Sequence, residues 1–192
     1  MSPTSWHCSD ANEDGFVSFE VLRKRAAAST EEEFVRDFPV PALLVLHRGE
    51  DFSVQGREQL YDPNDRGFQL LTMTVPSSGI LRYLGKVAFL AKRPGNPFAH
   101  LVSIGRSASN DITVAVDSIS RVHGYFVAGD AAGGGRKWSF SDHGSTNGSR
   151  LDDRDVISGQ SYGLRDGTVL QLGFEAVLEL LMPESLHRRA LK

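Results

Sequence analysis

Asp142-His143-Gly144-Ser145-Thr146-Asn147-Gly148-Ser149, DHGSTNGS in one-letter code, packs small polar side chains and turn residues into eight positions, with Trp138 just upstream. Asn-Gly is a strong tight-turn signal, so the stretch reads as a loop between two strands. A loop so rich in hydroxyls and amides is also suited to presenting them to a ligand. The fold hangs on whether strands surround it.

They do. Downstream of the breaker cluster Pro76-Ser77-Ser78-Gly79, strand-like alternation runs almost without interruption. Strands are predicted over 84–91, 101–104, 112–116, 123–128, 137–141, 168–172 and 176–181, separated by Gly, Asn, Asp and Pro. Upstream, 19–28 reads as a helix. Thr30-Glu31-Glu32-Glu33 reads as a capping box opening a second helix that stops before Pro39, and 41–46 and 68–75 read as strands. The expected fold is mainly β, a sandwich of two sheets with a small mixed α/β N-terminal region. Three regions are expected: 1–78 as an acidic N-terminal region, 79–183 as the sandwich and 184–192 as a C-terminal tail.

Composition narrows the function. The 192 residues are 40% hydrophobic and 23% charged, an ordinary globular balance, and no run of about 18 apolar residues is long enough to span a membrane. The first residues lack a basic stretch followed by an apolar one, so a cytoplasmic location is expected. Cys8 is the only cysteine, which excludes an internal disulfide. The net charge of −3 divides unevenly: 13 acidic against 7 basic side chains over 1–79, and 11 against 14 over 80–192. That basic excess is too small for nucleic acid, yet it suits a small anion.

Three blocks lie at predicted strand ends: Gly105-Arg106-Ser107 with Asn110-Asp111-Ile112, then Ser118-Ile119-Ser120-Arg121-Val122-His123, then Asp142 to Gly148. Gathered at one apex, they would offer an Arg fork, hydroxyls and an amide, enough to hold a phosphoryl group without a metal.

Residues from about 80 to 182 resemble a forkhead-associated (FHA) domain. The resemblance rests on Gly105-Arg106, Asn110-Asp111-Ile112, Ser120-Arg121-Val122-His123, Asp142 to Gly148, and a closing pattern with Leu164, Asp166-Gly167, Leu170 and Leu172-Gly173. It implies an eleven-stranded sandwich whose apical loops recognise phosphothreonine peptides. By the same resemblance Arg106 pairs with the phosphate, Ser120 donates its hydroxyl to it and Arg121 adds a second contact. Thr146 forms the surface for the threonine methyl, and Asn147 bonds the peptide backbone. Gly105, His123 and Gly148 support the site, His123 by bracing the loops from within. The expected partner is a phosphothreonine protein or peptide, either the substrate of a Ser/Thr protein kinase or a kinase itself, with no cofactor, metal, nucleic acid or membrane involved. Two departures, His143 before Gly-Ser and Asp152-Asp153 in place of Asn-Gly, are expected to flank the site and to alter peptide preference.

Other readings compete. A phosphorylation-independent FHA-like scaffold is the alternative, and an enzyme ranks below it. Asp142, His143 and Ser145 contain the letters of a hydrolase triad, but lie too close along one turn to take its three positions. Gly133-Gly134-Gly135-Arg136-Lys137 lacks the ending of a phosphate loop and reads as a hairpin tip. The six His residues show no metal-ligand spacing. Residues 10–18 reproduce the first nine positions of an EF-hand calcium loop, with Gly15 at position six, but Val21 stands at position twelve where a bidentate Glu is needed. Thr30, in its acidic setting, is a candidate for phosphorylation and for folding back onto the chain's own site.

Overall fold

The computed structural model describes residues 11–46, 78–94, 96, 98, 100–130 and 136–192. The strand expected over 68–75, Cys8, Asp10 and the tip around Gly133-Gly134-Gly135 lie outside the described residues.

The described residues open with a tight loop in which Asn12 Oδ1 accepts hydrogen bonds from the N–H groups of Asp14 (3.1 Å) and Phe16 (2.8 Å). Gly15 completes it at φ 88, a left-handed conformation that glycine adopts without a Cβ penalty. Then follow β1 (Phe16–Ser18), α1 (Phe19–Ala27), α2 (Glu31–Asp37) and β2 (Ala42–Val45). The predicted capping box is present: the Thr30 hydroxyl accepts from Glu33 N–H, and the Glu33 carboxylate accepts from Thr30 N–H at 2.9 Å.

The remainder is α3 (Ser78–Leu81), β3 (Lys86–Phe89), β4 (Val102–Gly105), β5 (Ile112–Thr113), β6 (Gly124–Asp130), β7 (Arg136–Asp142), β8 (Ser149–Leu151), β9 (Arg154–Asp155), β10 (Tyr162–Leu164), β11 (Val169–Leu172), β12 (Ala176–Leu181) and α4 (Pro183–Ala190). The described strands form two sheets, one ordered β1-β3-β2-β12-β11-β8-β9 and the other β10-β7-β6-β4-β5. The fold is therefore the expected mainly β arrangement of two sheets, with twelve described strands where the resemblance implies eleven.

Period-two alternation explains how the seven-stranded sheet is buried on both faces. Leu43 and Val45 of β2, Ala88 of β3 and Leu178 and Leu180 of β12 join Ile104, Phe126 and Phe140 of the other sheet in the sandwich core. Their neighbours Ala42, Leu44, Val87, Phe89, Val177 and Leu181 face outward. There they meet Leu22 of α1, Phe34 of α2 and Leu186 of α4 in a second core. Trp138 is part of the sandwich core, as its strand position suggests.

Strands from before residue 78 are woven into this sheet. Strand β2 pairs antiparallel with both β12 and β3, and β1 pairs with β3. The segment expected as a tail contains most of α4, whose start is tied to Asp166: one carboxylate oxygen accepts from Met182 N–H (2.7 Å) and the other from the Ser185 hydroxyl (2.5 Å).

Candidate functional site

Antiparallel pairing of Gly124 with Asp142 makes the segment before β6 and the segment after β7 emerge at the same end of the sandwich. His143 N–H extends this ladder by donating to His123 O at 2.9 Å. The segment after β4 joins them: Arg106 N–H donates to Ser120 O (3.0 Å) and Ser107 N–H to Arg121 O (3.2 Å). A side chain at Gly105 would bring its Cβ to 2.4 Å from Arg121 O, so only glycine lets these backbones approach so closely. The three polar blocks of the sequence thus share one apex.

On that apex Arg106, Arg121 and Thr146 are exposed, and Ser120 and Asn147 are half-buried. Ser120 Oγ accepts from Thr146 N–H at 3.0 Å and lies 3.4 Å from Thr146 Oγ1. Asn147 Nδ2 donates to Ser118 O at 2.9 Å, which orients the amide and leaves its Oδ1 as the acceptor for a ligand. Arg106 Nη1 stands 3.9 Å from the carboxylate of Asp117, a loose pair with a fully exposed partner. Such a pair costs little to break, so the guanidinium is available to a stronger anion.

Beneath the loops His123 is fully buried. Its Nδ1 accepts from Ser120 N–H (3.2 Å), and its Nε2 lies 3.2 Å from both Gly148 O and Ser149 Oγ. A backbone N–H can only donate, so the ring is neutral with its proton on Nε2, directed at Gly148. Burial depresses its pKa below the ordinary value, against the opposing pull of Asp142 and the Gly148 carbonyl. The ring therefore links the loop of Ser120 to the loop of Asn147. Gly148, at φ 72, makes the turn that aims its carbonyl at the ring.

Asp142 is buried as well. Its carboxylate accepts from Ser145 N–H (2.8 Å) and from the hydroxyls of Ser145 (2.6 Å) and Ser149 (2.5 Å). Burial pushes the carboxyl up, but the Ser145 and Ser149 bonds, helped by His123, outweigh it and hold the group below the usual range. Ser149, His123 and Asp142 are adjacent without forming a hydrolase triad. The serine hydroxyl donates to the carboxylate, it is buried, and the other imidazole nitrogen faces a backbone N–H where a triad has its carboxylate.

Sequence reasoning assigned Asn110-Asp111 to the apex, and the structure makes them its buried frame. Asn110 Nδ2 donates to Ser107 O and Arg121 O, and the Asp111 carboxylate accepts from Lys92 Nζ (2.9 Å), Arg93 N–H and Ser103 N–H. The expectation that Asp152-Asp153 flanks the site is corrected. Both sit at positive φ in the turn at the far end of β8, where Asp152 accepts from Arg165 and from Val169 N–H. Ser149 and Asp117 were given no role from sequence. For Ser149 the signal was its spacing of seven from Asp142, across the turn that returns the chain to the same point.

The calcium-like loop turns at Gly15, but its Asp14 carboxylate is engaged by the Tyr83 hydroxyl (2.9 Å) and faces the Arg82 guanidinium (3.5 Å). Among the described residues, no group of three or more His, Cys, Asp or Glu side chains is placed to hold a metal. Nor is any described helix long and apolar enough to cross a membrane.

Residues 102–173 match the sequence model of the FHA domain. No curated protein matches the chain. Among solved structures, the chain is similar to the MEK1 FHA domain in complex with a HOP1 phosphothreonine peptide, at 21% identity and a TM-score of 0.41, covering 50% of this chain and 87% of that one. It is also similar to the FHA domain of an Arabidopsis thaliana hypothetical protein, at 26% identity and a TM-score of 0.39, covering 49% and 73%. The FHA domain of the CT664 protein from Chlamydia trachomatis shows 22% identity and a TM-score of 0.41, covering 51% and 86%. Residues 102–173 thus carry the FHA-domain match that the order of the motifs leads one to expect.

Proposed function

We propose that this protein is a phosphothreonine-peptide-binding module, acting in the cytoplasm to bring proteins together after a Ser/Thr kinase has acted. The observation that carries the reading is the apex itself. Two exposed arginines and the Ser120 hydroxyl stand on loops that backbone bonds and one neutral buried histidine hold in register. A phosphothreonine brings about −1.5 to −2 charges and three acceptor oxygens. Arg106 supplies the fork, Ser120 turns its hydroxyl proton toward the phosphate, and Arg121 adds charge from the neighbouring position. Thr146 covers the threonine methyl, and Asn147 Oδ1 accepts a peptide N–H.

The role is binding, without catalysis. The buried imidazole is committed to loop structure at both nitrogens, and the buried serine beside it is aimed at a carboxylate. The partner is a phosphorylated kinase substrate or the kinase itself; the modest positive charge of 80–192 serves one anion and does not serve a nucleic acid or a membrane surface.

The test compares phosphorylated and unphosphorylated forms of peptides selected from an oriented phosphothreonine library. Wild type is expected to prefer the phosphorylated form. Hydrogen bonds to charged groups are worth roughly 1.5–3 kcal/mol, so Arg106→Ala should weaken phosphopeptide binding at least about tenfold. Equal affinity for both forms, or unaltered binding by a folded Arg106→Ala protein, would leave the phosphorylation-independent scaffold as the better account.

A further inference from the structure

The loop that resembles a calcium site contacts the segment that follows Arg106. Asp14 O accepts from Thr113 N–H at 3.1 Å, and Glu13 O accepts from the Arg93 guanidinium. The same guanidinium donates to Ala108 O (3.4 Å) and Asn110 O (3.3 Å), while Arg93 N–H donates to the Asp111 carboxylate at 2.8 Å. Arg93 therefore ties the N-terminal loop to the connection between β4 and β5, the connection that begins with Arg106. Gly15 is seated closely enough that a Cβ there would stand 3.1 Å from Asp111 O. The loop is locked from its other side as well. The Asp14 carboxylate accepts from Tyr83 Oη, which in turn accepts from Ala115 N–H (3.1 Å) and Arg82 Nη2 (2.5 Å).

We propose that the Asn12–Gly15 loop is a clasp on the phosphate-binding apex, with Arg93 as the positioning residue through which it acts. In an EF-hand such a loop turns its oxygens on a bound cation. Here two of its backbone carbonyls and one carboxylate are turned on Thr113, Arg93 and the Arg82–Tyr83 pair. The Glu13 and Asp14 carbonyls, which an EF-hand does not aim at its ion, here hold residues 106–113 in one conformation. A preformed anion site gains affinity because less ordering remains to be done when the ligand arrives. Arg93 has no role in touching the peptide: its donors are already directed at three carbonyls on the side of the loop facing the N-terminal segment.

The inference rests on the phosphopeptide reading for its functional consequence, and the experiment separates the two. In the full chain, Arg93→Met is expected to weaken binding of a library-selected phosphothreonine peptide about threefold to tenfold. The unphosphorylated peptide should bind as before, so the preference for phosphate falls. Arg93→Lys, which keeps one donor within reach of the same carbonyls, should recover part of the loss. In the unliganded proteins, hydrogen exchange should quicken at the amides of residues 106–113 in Arg93→Met and stay unchanged in the β11–β12 hairpin. Unaltered exchange at 106–113, an equal loss for both peptides, or failure of lysine to recover any affinity overturns the clasp. If wild type shows no preference for phosphate, the phosphopeptide reading falls, and the exchange measurement alone then decides whether the clasp exists.

Discussion

At the scale of single residues, the apex depends on two buried titratable groups whose protonation states are opposite in kind, a neutral His123 and an ionised Asp142. Both have folded pKa values below their unfolded ones, so in each case the unfolded chain binds the proton more readily. Stability from His123 is complete above its ordinary value of 6.5 and is lost as pH falls from there toward the folded value. Stability from Asp142 is complete above 3.8 and is lost below it. The melting temperature should therefore decline in two acid steps, and His123→Ala should lower it at neutral pH while removing the step that begins near 6.5. A melting curve series that stays flat from pH 7 to 5 in wild type would contradict this. Asp117 gives a second prediction. It lies 3.9 Å from Arg106 and would sit beside an incoming phosphate, so Asp117→Asn should tighten phosphopeptide binding about twofold at low salt, the effect fading as salt is raised. Unchanged affinity at low salt would place Asp117 outside the phosphate's field. That Ser120, Asn147 and Arg106 share one apex was legible because polar residues at strand ends mark the loops that the sandwich gathers there. The bond between Asp142 and Ser149 was not read, since it forms only when the loop doubles back and its one trace in the sequence is a spacing of seven across the Asn-Gly turn.

At the scale of elements, several local signals were read correctly. The Thr30–Glu33 capping box, the helices α1 and α2 and the strands β2, β6, β7 and β12 follow from caps and periodicity within a few positions. Strands β1, β8, β9 and β10, each three residues or fewer, were missed because a period of two cannot be established over so short a span. Helix α4 was missed although Pro183 at its start, Glu184 in its first turn and His187, Arg188 and Arg189 in its last are local helix signals. The capping box also bears on Thr30 as a possible ligand. Thr30 opens α2, and Phe34 one turn later is buried in the second core, so offering Thr30 to the apex as an extended segment would require unwinding α2 and withdrawing Phe34. Thr30→Ala should then act on stability alone, costing about 1 kcal/mol in denaturant unfolding and leaving phosphopeptide affinity as in wild type. A change in affinity without a change in stability would point instead to Thr30 as part of the recognition surface.

At the scale of the whole molecule, the FHA match at 102–173 describes less than the folding unit. Strand β2 lies between β3 and β12 in the seven-stranded sheet, so removing it breaks that sheet in the middle and leaves two unpaired edges. The second core would lose Val17, Leu22, Ala26, Phe34, Phe38, Ala42, Leu44 and Leu46 together, stripping the outward face of Val87, Phe89, Val177 and Leu181. A large buried aliphatic or aromatic side chain contributes roughly 1.5–3 kcal/mol by its burial, whereas a domain's whole stability is about 5–15 kcal/mol. Losing this set together exceeds what the remainder can offset. A fragment of residues 79–183 should therefore show no cooperative thermal transition by circular dichroism and little amide dispersion by NMR, and it should not bind the phosphopeptide. Leu44→Asp in the full chain, which buries one charge in the same core, should be severely destabilising by the same logic. A fragment 79–183 that melts cooperatively and binds phosphopeptide as tightly as the full chain would make the strands and helices before residue 79 a detachable layer. The clasp at Arg93 would then be dispensable for binding as well, because both arguments place the N-terminal segment inside the same unit as the apex.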